Sequence, residues 1–278
     1  MKRIIAVIFA LLLAFSCLTA CGDSKGSDRP VLRVGMECAY APYNWSQPTN
    51  ANGAVPIHGS NDFAFGYDVM MAKFVADKLD MDLEIHMIDW DSLPMAVQSG
   101  AIDIEIAGRS ITAERQMSFD FTTPYYYASI VCLVRADGPF ASATDISGLT
   151  GATGTSQLGT VWYNIALPQV PEVNMLPGMD SAPAMLVALT SGAVELVVTD
   201  MPTAMAAVSV YPELKLLDFT ESNGNFNVSD EEVNIGIMLQ KGNTELLDKI
   251  NEALSGLTVA DFIRMMDEAI SVQPLAVD

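Results

Sequence analysis

Two stretches of this chain repeat each other at a fixed offset. "LPMAVQSGAIDIEIAGRS" (Leu93–Ser110) parallels "MLVALTSGAVELVVTDMP" (Met185–Pro202), a constant 92 residues from Leu93 to Met185. Ser99-Gly100-Ala101 aligns with Ser191-Gly192-Ala193, and Asp103 and Glu105 align with Glu195 and Val197. Each copy reads as an apolar helix, a Ser-Gly turn and a strand. Units of that kind build mostly parallel sheets. Two copies this far apart predict two similar α/β lobes, because a solenoid needs several short repeats. At 278 residues, 50% of them hydrophobic, the chain is long enough to pack both.

The flanking segments fit that plan. "VLRVGM" (Val31–Met36) is expected to open the first lobe and "TGATG" (Thr150–Gly154) the second. "YDVMMAKFVADKL" is a helix, followed by the strand "DLEIHMI" (Asp82–Ile88). "SIVCLVRA" (Ser129–Ala136), β-branched and apolar, is expected to carry the chain between lobes. Two amphipathic helices, "TELLDKINEALSGL" and "TVADFIRMMDEAIS", close the chain. The 16 methionines sit mostly at core periodicities and read as packing. Pro48–Asp62 is a polar, turn-rich loop, and its His58 is assigned no chemistry.

The first residues read as a processing segment. Lys2 and Arg3 precede the apolar run Ile4–Phe15, which is too short and wrongly flanked for a spanning helix. "LTAC" (Leu18–Cys21) resembles the lipobox of bacterial lipoproteins, which implies acylation of Cys21 and loss of residues 1–20; an ordinary signal peptide cut near Ala20 is the alternative. Acylation by two or more chains anchors stably, and residues 21–29 would then be a tether. Removing residues 1–20 takes away two basic residues and no acid, leaving 12 basic and 34 acidic side chains, a net −22. That balance argues against a nucleic-acid partner. Cys38 and Cys132 belong to no CxxC or zinc pattern; a bridge between them and two separate buried thiols both stay open, the second being expected.

In open α/β sheets, ligands bind beyond the carboxyl ends of the strands. Those ends carry Glu37 and Tyr40 after the first strand, Ser110, Thr112 and Arg115 after "AIDIEIA", Thr155 and Ser156 after "TGATG", and Asp200 after "VELVVT". Helix starts are electropositive, so Arg115 in a first turn is misplaced unless an anion sits there. An arginine, several hydroxyls and a carboxylate on the other lobe together suit a ligand with one anionic and one cationic end, of which an amino-acid zwitterion is the simplest. Each residue also has a plainer reading: Arg115 as a surface ion-pair arginine, Ser110, Thr112, Ser156 and Asp200 as helix caps, the last with Pro202 at the favoured first position, Tyr40 and Trp90 as core aromatics. Enzyme templates are missing: there is no HExxH, GxSxG or Walker A pattern, and "GATGTSQLG" lacks the lysine and the GxGxxG spacing.

Several motifs, taken together and in order, resemble the amino-acid-binding family of solute-binding lipoproteins that serve ABC importers. They are "LRVGMECAYAPYNW", "FGYDVMMAKFVADKL", "WDSLPMAVQSGAIDIEIAGRSITAERQMSFDFTTPYY", "GATGTSQLG", "SGAVELVVTD" and "GIMLQKGNTELLDKINEAL", and they cover about residues 30–270. The resemblance implies a two-lobed, type II periplasmic-binding-protein fold, each lobe a mostly parallel sheet flanked by helices, with a two-strand hinge. It places residues 30–127 and 234–278 in lobe 1 and 128–233 in lobe 2.

It also implies roles. Arg115 would hold the ligand carboxylate bidentately, supported by Ser110 and Thr112, with Ser156 approaching from the second lobe. Asp200 would receive the α-ammonium. Tyr40 and Trp90 would flank the side chain and Glu37 would reach its far end, with Ala107, Gly108 and Thr155 also at the ligand. A carboxylate between two aromatic rings suits a cationic side chain, so lysine, arginine or histidine is expected, then glutamine. Three departures from the family pattern stand out. Arg109 replaces a residue that is often apolar, and would favour an acidic ligand if it turned inward. Ala113 replaces the usual proline. Met70, two after Asp68, stands where an acid is expected. No cofactor or metal is expected, and no catalysis. The implied partners are a permease with its ATPase and, through the lipid, the membrane, with the protein a monomer on the outer face of the cytoplasmic membrane or in the periplasm. The alternatives on this fold are a dehydratase of cyclic acids, with Glu37 as general acid, and a ligand-sensing module.

Overall fold

Residues 29–274 are described in the computed structural model; Cys17, Cys21 and the processing segment lie outside them. The compact unit starts at Val31. Its strands, in chain order, are β1 Val31–Met36, β2 Ala39–Tyr40, β3 Asn44–Gln47, β4 Val55–Pro56, β5 Phe63–Phe65, β6 Asp82–Met87, β7 Ile104–Glu105 and β8 Phe119–Phe121, then β9 Tyr126–Tyr127, β10 Ile130–Arg135, β11 Thr153–Thr155, β12 Asn174–Met175, β13 Leu196–Asp200, β14 Leu214–Leu217, β15 Asn234–Ile235 and β16 Met238–Gln240. The α-helices are α1 Tyr67–Lys78, α2 Leu93–Ser99, α3 Ala113–Gln116, α4 Ala182–Thr190, α5 Met201–Val210, α6 Asp230–Val233, α7 Thr244–Leu254 and α8 Val259–Val272.

Two five-stranded sheets carry the architecture. The first runs β6-β1-β7-β16-β8 and the second β12-β11-β13-β10-β14. In both, the first three strands are parallel, the fourth is antiparallel, and the fifth is antiparallel to the fourth. The central strands are nearly continuous apolar runs because helices cover both faces. All five residues of β13, and the first five of β10, are buried.

The repeat in the sequence is a repeat in space. α2 leads into β7 and α4 into β13, and each of these strands is third in its sheet. Gly100 and Gly192 follow the two helices with φ of 73° and 77°, the left-handed turn that lacks a Cβ penalty. The paired acids repeat a bond as well. Asp103 Oδ2 accepts from the Arg33 N–H at 2.8 Å, and Glu195 Oε2 accepts from the Thr153 N–H at 3.0 Å. Each acid secures the neighbouring parallel strand at its entry.

The chain passes between the sheets twice, through β9 and back through β15, and these two strands pair antiparallel as a ladder of their own. The crossing is therefore at Tyr126–Tyr127, and the segment Ser129–Ala136, expected to make it, instead supplies β10, which lies within the second sheet between β13 and β14. Five consecutive buried apolar residues are better accommodated inside a covered sheet than in an exposed crossing. The last helix, α8, packs on α1 and also on α5, and just beyond it the Gln273 amide donates to Ala206 O and Ser209 Oγ.

The segment read as a plain loop is partly ordered into strand. β2, β3, β5 and β4 form a small antiparallel sheet, and Ile57 is buried and bridges to Ile85. Cys38 and Cys132 are separate buried free thiols, and burial pushes the Cys38 thiol up to about 12.

Candidate functional site

The carboxyl ends of the parallel strands converge. Glu37 follows β1, Trp90 follows β6 in a short 3-10 turn, and Ala107, Gly108 and Ser110 follow β7. Tyr40 arrives on the small sheet. Together with Arg115 these side chains form one wall of a cavity. The other wall comes from the segment after β11: Gln157, Thr160, Val161 and Trp162. The walls approach closely, leaving about 10 Å³ of free space, roughly the room one water needs.

Three hydrogen bonds cross this cleft. The Arg115 Nη2 donates to Gly159 O at 2.9 Å while Nη1 donates to Ser110 O at 2.8 Å. Gln157 Nε2 donates to Glu37 Oε1 at 3.2 Å. The Tyr40 hydroxyl donates to Asp200 Oδ2 at 2.5 Å.

The electrostatics are those of a polar site largely withdrawn from solvent, with Glu37 buried and Arg115 half-buried. Among the described residues no carboxylate lies within ion-pair distance of Arg115. Burial, with the repulsion of Arg109, lowers its guanidinium to about 10. Burial raises the Glu37 carboxyl to about 7, against the opposing pull of Gln157 and Arg109. Glu37 is 7% exposed, and its Oε2 has no hydrogen-bond partner. Buried polar atoms are normally satisfied, so that oxygen marks a place for a donor.

Arg109 does not line the cavity. It is buried, ion-paired through Nε to Glu105 Oε1, and its guanidinium lies 3.6 Å from the centre of the Trp90 ring. Its charge is thus neutralised behind the site, and the indole face it covers is closed to any ligand.

Seven sequence-predicted residues line the cavity: Glu37, Tyr40, Trp90, Ala107, Gly108, Ser110 and Arg115. Four do not. Thr112 caps α3, accepting from the Arg115 N–H at 3.3 Å. Thr155 and Ser156 are buried, and their hydroxyls donate to Pro177 O at 2.9 Å and Val198 O at 2.6 Å. Ser156 stands at no α-helix start, since the next element is a π-helical turn at Trp162–Ala166. Asp200, 1% exposed, caps α5 by accepting from the Thr203 N–H at 2.9 Å, and reaches the cavity wall only through Tyr40. Pro202 occupies the second helical position, not the first.

Sequence reasoning missed the second-lobe wall, although "QLGTVW" directly follows Thr155 and Ser156. It also passed over a buried network beneath Gly108. Asp68 accepts from Asn44 Nδ2 and from the Tyr125 hydroxyl, both at 2.8 Å, and that hydroxyl in turn accepts from the Gly108 N–H at 3.1 Å. An aspartate in the first turn of the helix, among Tyr67, Val69, Met70 and Met71, was the available signal.

The class of protein is a two-lobed α/β solute-binding protein, and the candidate cavity is lined from both lobes. Residues 32–261 match the family model "Bacterial extracellular solute-binding proteins, family 3", and the chain belongs to that family. It is 29% identical over 164 residues to the arginine-binding extracellular protein ArtP of Bacillus subtilis, a match covering 58% of this chain and 58% of ArtP. It is 25% identical over 247 residues to the L-cystine-binding protein TcyJ of Escherichia coli, covering 88% of this chain and 84% of TcyJ. An ancestral arginine-binding protein bound to arginine superposes with a TM-score of 0.68 at 30% identity, over 86% of this chain and 98% of that one.

Proposed function

We propose that this chain captures a free amino acid between its lobes and presents it to an ABC permease and its ATPase. The observation that carries the reading is a pairing across one cavity: the Arg115 guanidinium without a carboxylate partner, and the unpartnered Oε2 of Glu37. The guanidinium would bind the ligand carboxylate in a two-bond fork, exchanging Ser110 O and Gly159 O for it. Glu37 would accept from a donor at the far end of the side chain. This favours cationic ligands, lysine, arginine or histidine, with glutamine next; several relatives are arginine-binding proteins, and others bind cystine or glutamate.

The α-ammonium would displace the Tyr40 hydroxyl from Asp200, so that the ligand takes over a bond already spanning the cleft. A closed cavity this narrow admits a ligand only after the lobes part, and β9 and β15 are the natural hinge because, among the described residues, they carry the main chain between the sheets. Ligand contacts made to both walls would favour closure. Acylation at Cys21 belongs to the same reading; mass spectrometry of the N-terminal peptide from membranes tests it.

The deciding experiment is calorimetry with a panel of amino acids, alongside mass spectrometry of ligand released from purified protein. Saturable binding of a basic amino acid supports the reading, and no binding of any member defeats it. One observation favours a second reading: a buried carboxyl near neutrality is what a general acid requires. Turnover of a cyclic, prephenate-like acid, abolished in Glu37→Gln, would replace capture by dehydration.

A further inference from the structure

The chain contains two histidines in 278 residues, and the fold brings both to one carboxylate. Glu84 and His86 are two apart on β6, so their side chains leave the same face of the strand. His58 comes from the turn after β4. Its place is fixed from the backbone: the His58 N–H donates to Ile85 O at 2.7 Å, and Ile57 bridges to Ile85.

The three side chains aim at a common point. His58 Nδ1 lies 3.2 Å from Glu84 Oε2, and His86 Nε2 lies 2.8 Å from Glu84 Oε1. All three ligand atoms fall within 4.8 Å of one another. The two imidazoles stack, with centroids 4.7 Å apart and planes inclined by 23°. Zinc bonds of about 2.0 Å in tetrahedral array put neighbouring donor atoms about 3.3 Å apart, so small rotations would suffice. Two imidazoles and one carboxylate are a donor set zinc accepts, leaving one position for water. An entry path exists, since the His58 side chain is 55% exposed, while His86 at 21% is held against the protein. Asp82, two residues before Glu84, lines the same surface depression as His58 and Glu84 and adds an acidic side chain there. None of the three ligands lines the cleft cavity.

We propose that His58, Glu84 and His86 form a binding site for a divalent transition metal of the zinc type, with water in the remaining position. The metal takes the lone pair of His58 Nδ1 and of His86 Nε2 while the other nitrogen of each ring keeps its proton, so binding joins the His58 turn to the sheet-edge strand β6 and competes with protonation of the rings.

The test is zinc titration of chelator-treated, tag-free full chain, followed by calorimetry and by long-range proton–nitrogen NMR of the histidine rings. With two histidines in the sequence, every ring signal reports on this site or excludes it. The expected result is one zinc per chain, with both rings shifted, His58 through Nδ1 and His86 through Nε2. In His58→Gln, Glu84→Gln and His86→Gln the affinity should fall by more than the roughly 10–100-fold that losing an outer-shell partner costs, with circular dichroism and amino-acid binding unchanged. Absence of saturable binding at sub-millimolar zinc overturns the proposal. So does binding that leaves either ring unshifted or survives the His86→Gln change. Cobalt(II) gives an independent readout, because intense visible bands would report a four-coordinate site and their absence would contradict one.

Discussion

Arg115 and Glu37 make opposite demands on a ligand, and single substitutions separate them. Arg115→Ala should weaken amino-acid binding by about 3–5 kcal/mol, the cost of leaving one member of a buried ion pair unpartnered. Arg115→Lys should recover little, because an ammonium lacks the planar fork. Calorimetry on both variants checks this, and near-native affinity in either removes Arg115 from the site. Glu37 gives a pH signature. Its carboxyl ionises near 7 in the ligand-free cleft, and a cationic ligand binds the ionised form. Affinity for a basic amino acid should therefore drop as pH falls below about 7, approaching tenfold per pH unit, and Glu37→Gln should flatten that profile. Tyr40→Phe removes the hydroxyl that competes for Asp200, so it should bind at least as tightly as the parent, whereas Asp200→Asn should bind more weakly.

At the scale of elements, the junction between the small sheet and α1 shows how little freedom supports the site. Gly66 precedes α1 with φ of 126°, and a Cβ there would lie 2.3 Å from Tyr43 O. That close approach lets the first helical N–H groups bond Pro42 O and Tyr43 O at 3.1 and 2.7 Å in place of a side-chain cap. Gly66→Ala should cost on the order of 1–3 kcal/mol, the range for backbone strain at such positions, read as a lower urea midpoint. The larger elements were legible in the sequence because hydrophobic period and turn chemistry are local: α1, β6, α7, α8 and both copies of the repeat could be read directly. The two-residue crossing strands were not, since Tyr126–Tyr127 and Asn234–Ile235 pair across more than a hundred residues. The cleft was half legible for the same reason. Residues just past a strand, such as Glu37 and Arg115, announce themselves, while Gln157 and Trp162 become neighbours of Glu37 and Tyr40 only when the lobes meet. Arg109 carries the same lesson, because its sequence neighbours did not reveal Trp90 stacked beneath it.

For the whole molecule, buried carboxyls set the response to acid. Glu37 and Asp68 ionise near 7 and Asp200 near 6, each raised by burial. Their folded values exceed the unfolded ones, so the folded state holds more protons between about pH 4 and 7. The stability they contribute is fully present below the unfolded values and is lost as pH rises through 6 to 7. A net charge of −20 at neutral pH acts in the same direction, since acid relieves its self-repulsion. Ligand-free protein should accordingly melt at a higher temperature at pH 5 than at pH 8, and calorimetric scans across that range check it. A flat or inverted profile would mean these carboxyls ionise normally.

The helix that ends the described chain touches α1 on one side and α5 on the other, with Gln273 fastened to Ala206 and Ser209. A swing at the paired crossing strands therefore has a second attachment to overcome, well away from the cleft. Cutting the chain after Val272 should lower the work of separation, giving a larger ligand-free radius of gyration by X-ray scattering and faster ligand release. The hold on a ligand would then be set partly by a fastening at Gln273, outside the cleft lining.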